Sequence, residues 1–145
     1  MERYLREHIP LSAAMGVRVR EATPEHVLLS APLAPNINHR DTVFGGSAAA
    51  LAMLAGWSLL HVRLRAEGSE ARLVIQRNTM EYQRPIAGDF TARAALEHPQ
   101  RWQQFMATLA RRGKARIVVT ALLEQGGQIA GRLSGEFVAL AGVDG

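Results

Sequence analysis

In the stretch NINHRDTVFGGSAAALAMLAGW, residues 36–57, the polar side chains of Asn36, Asn38, His39, Asp41 and Thr42 stand just ahead of Gly45-Gly46, and an alanine-rich apolar run follows. The chemistry open to such an arrangement is that of a helix start. Backbone N–H groups in a helix's first turn have no intrahelical partner and lie at the positive end of the helix dipole, so they can hold an anion or a developing oxyanion. Glycine at that turn lets a carbonyl come close to the backbone. The bland alternative is architectural: Gly45-Gly46 turns the chain and Ser47 caps the helix. Spacing alone leaves both readings open.

Other chemistry is largely excluded by pattern. Neither G-x-x-x-x-G-K-[ST] nor G-x-G-x-x-G occurs, so no phosphate loop is expected. There is no G-x-S-x-G elbow, and Ser58 with His61 reads as a polar patch and not as a nucleophile and its base. The histidines, His8, His26, His39, His61 and His98, have no H-x-x-H or H-E-x-x-H spacing, and no metal is expected. RRGKAR, residues 111–116, is a basic cluster without interleaved aromatics, which fits solvated surface or a cofactor phosphate better than nucleic acid.

The elements that must position the polar stretch follow from hydrophobic periodicity. Residues 2–8 read as a short helix, and strands are expected over Val17–Thr23 and His26–Leu33, turned at Pro24-Glu25. A helix from about Gly46 to Arg65 is apolar on most of its circumference, which predicts that other structure wraps it. A long strand, Arg72–Pro85, is expected to bulge at Asn78-Thr79, and Phe90–Glu97 follows. Trp102, Phe105, Met106 and Leu109 recur at helical spacing, and Arg116–Gln125 and Gln128–Leu140 flank a Gly126-Gly127 hairpin turn. This order predicts an α+β protein, a mostly antiparallel sheet around a central helix.

Composition sets the outer bounds. At 145 residues, with 48% hydrophobic and 21% charged residues, the chain fits one globular domain over 1–145. It has no cysteine, which removes disulfides and thiolate chemistry. MERYLREHIP carries charge where a signal peptide needs an apolar core, and the apolar run 46–64 is interrupted by Ser58, His61 and Arg63, so a cytoplasmic protein without a membrane span is expected. The net charge is +4, with sixteen arginines and one lysine, a bias suited to phosphate because guanidinium meets its oxygens two at a time.

Two stretches together bring a resemblance. NHRDTVFGG resembles the N-x-x-x-x-x-x-G-G segment of hotdog-fold thioesterases, and MEYQRPIAGDFTARA resembles their aromatic strand ending in Arg-Pro with Gly-Asp in the next turn. The longer run PLAPNINHRDTVFGGSAAALAMLAGW is similar to the thioesterase-type domain found behind an acetyltransferase domain in some bacterial proteins. The resemblance implies a hotdog fold, a homodimer or dimer of dimers, and acyl thioesters of coenzyme A or a carrier protein bound where two subunits meet, with no cofactor. By position, Gly45 corresponds to the glycine whose N–H polarises the thioester carbonyl, and Asn38 to the asparagine that positions the carbonyl or the attacking water. Gly46, Phe44, Thr42, Glu81 and Arg84 are the candidate substrate-binding positions.

Two departures from the family pattern matter. Phe44 stands where many relatives have histidine, which the backbone chemistry tolerates. Met53 stands where many relatives carry an aspartate or glutamate on the central helix. The base must then come from elsewhere, with His39, Asp41 and Glu81 as candidates, or the protein binds thioesters without hydrolysing them.

Overall fold

The computed structural model describes residues 1–142; the last residues of the expected 1–145 domain, 143–145, lie outside it. The chain runs α1 (Glu2–His8), α2 (Pro10–Ala14), β1 (Arg18–Ala22), β2 (Val27–Ala31), a 3-10 turn (Ala34–Asn36), α3 (Gly45–Ala66), β3 (Arg72–Tyr82), β4 (Phe90–Leu96), α4 (Trp102–Arg112), β5 (Lys114–Gln125) and β6 (Gln128–Leu140). The six strands form one antiparallel sheet in the order β1-β2-β4-β5-β6-β3, curved around α3. This is the expected α+β hotdog arrangement.

Alternation builds the face that receives α3. Phe90, Ala92, Ala94 and Leu96 on β4, and Ala115, Ile117, Val119, Ala121 and Leu123 on β5, all turn inward and are buried. Burying a large apolar side chain stabilises by roughly 1.5–3 kcal/mol, so this face is the main source of cohesion. Many of its residues are alanine, and the small side chains let the helix come close. At the closest point α3 has no side chain at all: a Cβ on Gly56 would lie 3.3 Å from the Phe137 ring and 3.4 Å from Val119.

α3 is less enclosed than its composition predicts. Leu51, Ala52, Ala55, Leu59 and Leu60 are buried on the sheet, but Gly46 is exposed and Ala50, Met53, Trp57 and His61 are half-buried along one stripe. α1 covers the far end of that stripe through a pile of rings. Tyr4 stacks on His8 at 4.0 Å and lies 4.7 Å from His61, which stacks on Trp57 at 4.9 Å. Loss of water around His61, aided by the nearby Arg65, N-terminal amine and His8, lowers its pKa and favours the neutral ring.

Three expectations need correction. α2 was not anticipated; it is one short turn begun by Pro10, which suits a helix's first position. The bulge in β3 lies between Ile75 and Arg77 and not at Asn78-Thr79, both of which pair in register with β6. Ser47 is not the cap of α3: the N-cap is Phe44, and no side chain caps the helix. Elsewhere local chemistry acts as expected. Gly126 and Gly127 adopt positive φ in the hairpin turn, and α4 buries Trp102, Phe105 and Leu109.

Candidate functional site

The polar loop is tied down by its two asparagines. Asn36 is buried, and its Nδ2 donates to the carbonyls of Met15 at 2.9 Å and Pro32 at 2.8 Å, which anchors the loop to the end of α2. Asn38 organises the turn that follows. Its Oδ1 accepts from the N–H groups of Arg40 (2.8 Å) and Thr42 (3.2 Å), while its Nδ2 donates to Thr42 Oγ1 (2.9 Å) and the Val43 carbonyl (3.4 Å). An amide offers two donors and two acceptor lone pairs, so all of Asn38's capacity is used within the loop. Asp41 holds a left-handed φ of 62°, a conformation that Asp and Asn tolerate better than most residues. It is exposed at the loop tip with His39.

The loop delivers the chain to the start of α3. The Val43 N–H donates to the Ile86 carbonyl at 2.8 Å and the Phe44 N–H to the Asn36 carbonyl at 2.8 Å, fixing the angle at which the helix begins. The first bond onto the cap comes from the Ala48 N–H to the Phe44 carbonyl, at 3.1 Å. Among the described residues, nothing accepts from the N–H groups of Gly45, Gly46 and Ser47. The physics of a helix start therefore leaves three donors and a partial positive charge at this point.

Of these three residues Gly45 lines a cleft of about 360 Å³, together with Thr42, Val43, Tyr82, Arg84 and Pro85, among others. The Tyr82 hydroxyl donates to the Gly45 carbonyl at 3.1 Å, and its ring passes 3.5 Å from where a Gly45 Cβ would stand. Tyr82 was not among the expected site residues. Its signal was the aromatic strand MEYQRP, but only the fold brings it to Gly45. Arg84 donates to Gln128 Oε1 from Nη1, which holds the guanidinium at the cleft's rim.

The structure thus brings Thr42, Gly45 and Arg84 to one cleft, with Asn38 ordering the loop behind Thr42. It does not bring the other expected residues there within one chain. Glu81 alternates with Met80 and Tyr82 and so faces the other side of the sheet. Phe44, 57% exposed, lays its ring over Gly46, where a Cβ would come within 2.4 Å of it. Met53 lines a separate apolar cavity of about 250 Å³. The basic cluster Arg111–Arg116 lies at the far end of the sheet: Lys114 pairs with Leu140, which pairs with Arg72. From there to Tyr82 is the length of β3, about 33 Å at about 3.3 Å per residue. No group of three or more His, Asp and Glu side chains among the described residues is placed to hold a metal ion.

A curved antiparallel sheet around one long helix, with the helix's uncapped start opening into a cleft, defines a hotdog-fold protein. The chain belongs to the family described as "Putative thioesterase (yiiD_Cterm)", whose profile matches residues 1–141. It is similar to a protein of unknown function from Chlorobaculum tepidum TLS, at 26% identity and a TM-score of 0.90 over 97% of this chain and 92% of that one. It is also similar in fold to a "putative thioesterase" from Shewanella oneidensis (23% identity, TM-score 0.84, 96% and 94% covered). A "probable thioesterase" from Pseudomonas aeruginosa is a further match (24%, 0.83, 97% and 94%).

Proposed function

We propose that the protein hydrolyses acyl thioesters of coenzyme A or of a carrier protein, at a site completed by a second copy of the chain. The observation that carries this reading is the uncapped first turn of α3 opening into the Thr42–Tyr82–Arg84 cleft. Water adds to the thioester carbonyl carbon, the oxygen takes up negative charge, and the C–S bond breaks to give a carboxylic acid and a thiol. The Gly45 N–H stabilises that charge, a contribution of about 3–4 kcal/mol for one good donor. Asn38 sets the loop and the carbonyl's approach, His39 or Asp41 takes the proton from water, and Arg84 faces the phosphates of the substrate's carrier arm. Incubation with a panel of acyl-CoA esters and thiol detection tests this. Turnover above buffer is expected for at least one acyl group, and none for any would overturn the reading.

The second copy is argued from the sheet edge. β3 hydrogen-bonds to β6 on one side and to no strand among the described residues on the other, and Val74 and Tyr82 stand exposed along it. Folded proteins ordinarily cover so long an open edge. Antiparallel pairing of β3 with its copy would do so, would cover the open stripe of α3, and would carry the partner's basic cluster toward the Gly45 end of this chain. Sedimentation at micromolar concentration is expected to give twice or four times the 15.8 kDa chain mass; a species at the chain mass would refute the pairing.

One observation favours a second reading, in which the protein binds thioesters without hydrolysing them. α3 contains no Asp or Glu from Gly45 to Ala66, and Met53 lies in an apolar surround. Calorimetry with a non-hydrolysable acyl-CoA analogue separates the two: binding without turnover of the matching ester supports the second.

A further inference from the structure

The apolar cavity beside α3 is bounded on one side by the N-terminal helices. Its walls include Ile9 and Leu11 from the α1–α2 segment, Ala50, Met53 and Trp57 from α3, and Ile75 from β3. Gly46, Ala50, Met53 and Trp57 follow one another at intervals of three and four residues, so they form one stripe running from the uncapped amides into the cavity. Phe44's exposed ring rests on Gly46 at the near end. At the far end Trp57 is backed by His61 at 4.9 Å and by Tyr4 at 6.1 Å, with His8 stacked behind Tyr4. Beyond Trp57 the stripe is therefore occupied by rings.

We propose that this cavity is the acyl-tail chamber of the site and that Trp57, held by Tyr4 and His61, is its end stop, selecting straight tails of medium length. The proposal rests on the thioester reading above. Trp57 lies eleven positions beyond Gly46, about 16 Å along the helix axis at about 1.5 Å per residue. Helical side chains lean back toward the N-terminus by about a turn, which leaves about 11 Å of free path. An extended chain with C–C bonds of about 1.5 Å advances about 1.25 Å per carbon, so about eight to ten carbons fit. The lining supplies no charge, and Ser12 is its one hydroxyl residue, so an unsubstituted hydrocarbon tail is the chemistry that fits.

The test is a saturated acyl-CoA series from butanoyl to palmitoyl, run on the wild-type protein and on Trp57→Ala and Ala50→Phe. Wild-type kcat/KM is expected to peak at octanoyl or decanoyl. Trp57→Ala frees the space of the indole, with the rings of Tyr4 and His61 still ending the path behind it, and should raise the dodecanoyl-to-octanoyl ratio of kcat/KM by about tenfold or more, the size of a methylene or two in an apolar pocket. Ala50→Phe fills the near end and should move the optimum to butanoyl or hexanoyl. Because each ratio is taken within one preparation, a partly misfolded variant does not distort it. A flat profile, or an optimum that stays in place in both variants, overturns the proposal. If no ester is hydrolysed, the hydrolase reading fails by itself, and the end stop is judged by the affinities of non-hydrolysable acyl-CoA analogues across the same lengths. Those affinities should show the same peak and the same opposite shifts.

Discussion

Asn38→Ala is expected to lower kcat for thioester hydrolysis by about 10- to 1000-fold while changing KM much less, because the loop that carries His39 and Asp41 and leads into Gly45 loses the side chain that holds its shape, misplacing groups that act in the transition state. The same substitution should lower thermal stability, because it removes the acceptor for the Arg40 and Thr42 N–H groups and the donor to Thr42 Oγ1 and the Val43 carbonyl. Each such bond contributes roughly 0.5–1.5 kcal/mol, and the loop is partly exposed, so a total loss of about 1–3 kcal/mol follows. Asn38→Asp separates the two roles. The carboxylate still accepts from both N–H groups, and the Thr42 hydroxyl can turn to donate to it, so only the bond to Val43 is replaced by two facing acceptors. Near-native melting with full activity in this variant would make Asn38 a loop organiser. Near-native melting with activity still lost would put its amide at the carbonyl. Asn38→Ala with both rate and melting within about twofold and about 2 °C of wild type would remove Asn38 from the site altogether.

Gly56→Leu is expected to be the most destructive change in the core. Its Cβ would already stand 3.3 Å from the Phe137 ring and 3.4 Å from Val119. Both neighbours are core residues, at 1% and 0% exposure, so a larger side chain meets two buried groups at once. Three further carbons must lift α3 off the sheet. Overpacking of this kind costs about 3 kcal/mol or more, equivalent to about 10 °C in Tm for a chain of this size. Gly56→Ala provides the control. Its gain in helix propensity, about 1 kcal/mol, offsets a contact tight by only a few tenths of an ångström, so its Tm should change little. Thermal melts of the two variants decide this, and a Gly56→Leu protein melting with the wild type would show that α3 and the sheet are not held at the distance described.

The sequence by itself determined the elements that carry long, regular periodicity. β5 and β6 were legible because inward and outward residues alternate without a break from Ala115 to Leu123, and the Gly126-Gly127 pair marks their turn. α4 was legible because Trp102, Phe105 and Leu109 share one helical face. The order of these elements, with one long apolar helix in their midst, was enough for the fold class. The free backbone donors at the start of α3 were legible from the same local logic, since a glycine pair opening an apolar helix leaves them wherever the helix sits, whereas the role given to Gly45 comes from the family resemblance and is part of the proposal.

What only the tertiary structure decided are matters that local pattern does not carry. α2 is too short to have a period and survives through the packing of its neighbours Leu5 and Met15 in the core. The bulge in β3 falls where β6 sets the register, near Ile75, and no residue in β3 alone announces it. An apolar helix circumference does not say whether the same chain covers it, and here the Gly46–Trp57 stripe stays open. Tyr82 reaches Gly45 across 37 positions, and Val43 meets Ile86 across a similar span. Such contacts depend on sheet register and on the angle at which α3 crosses it. Asn38 shows the limit most clearly: its type and spacing name a candidate for chemistry, but whether its hydrogen-bonding atoms face a substrate or the loop is decided by the turn that the left-handed Asp41 closes around it.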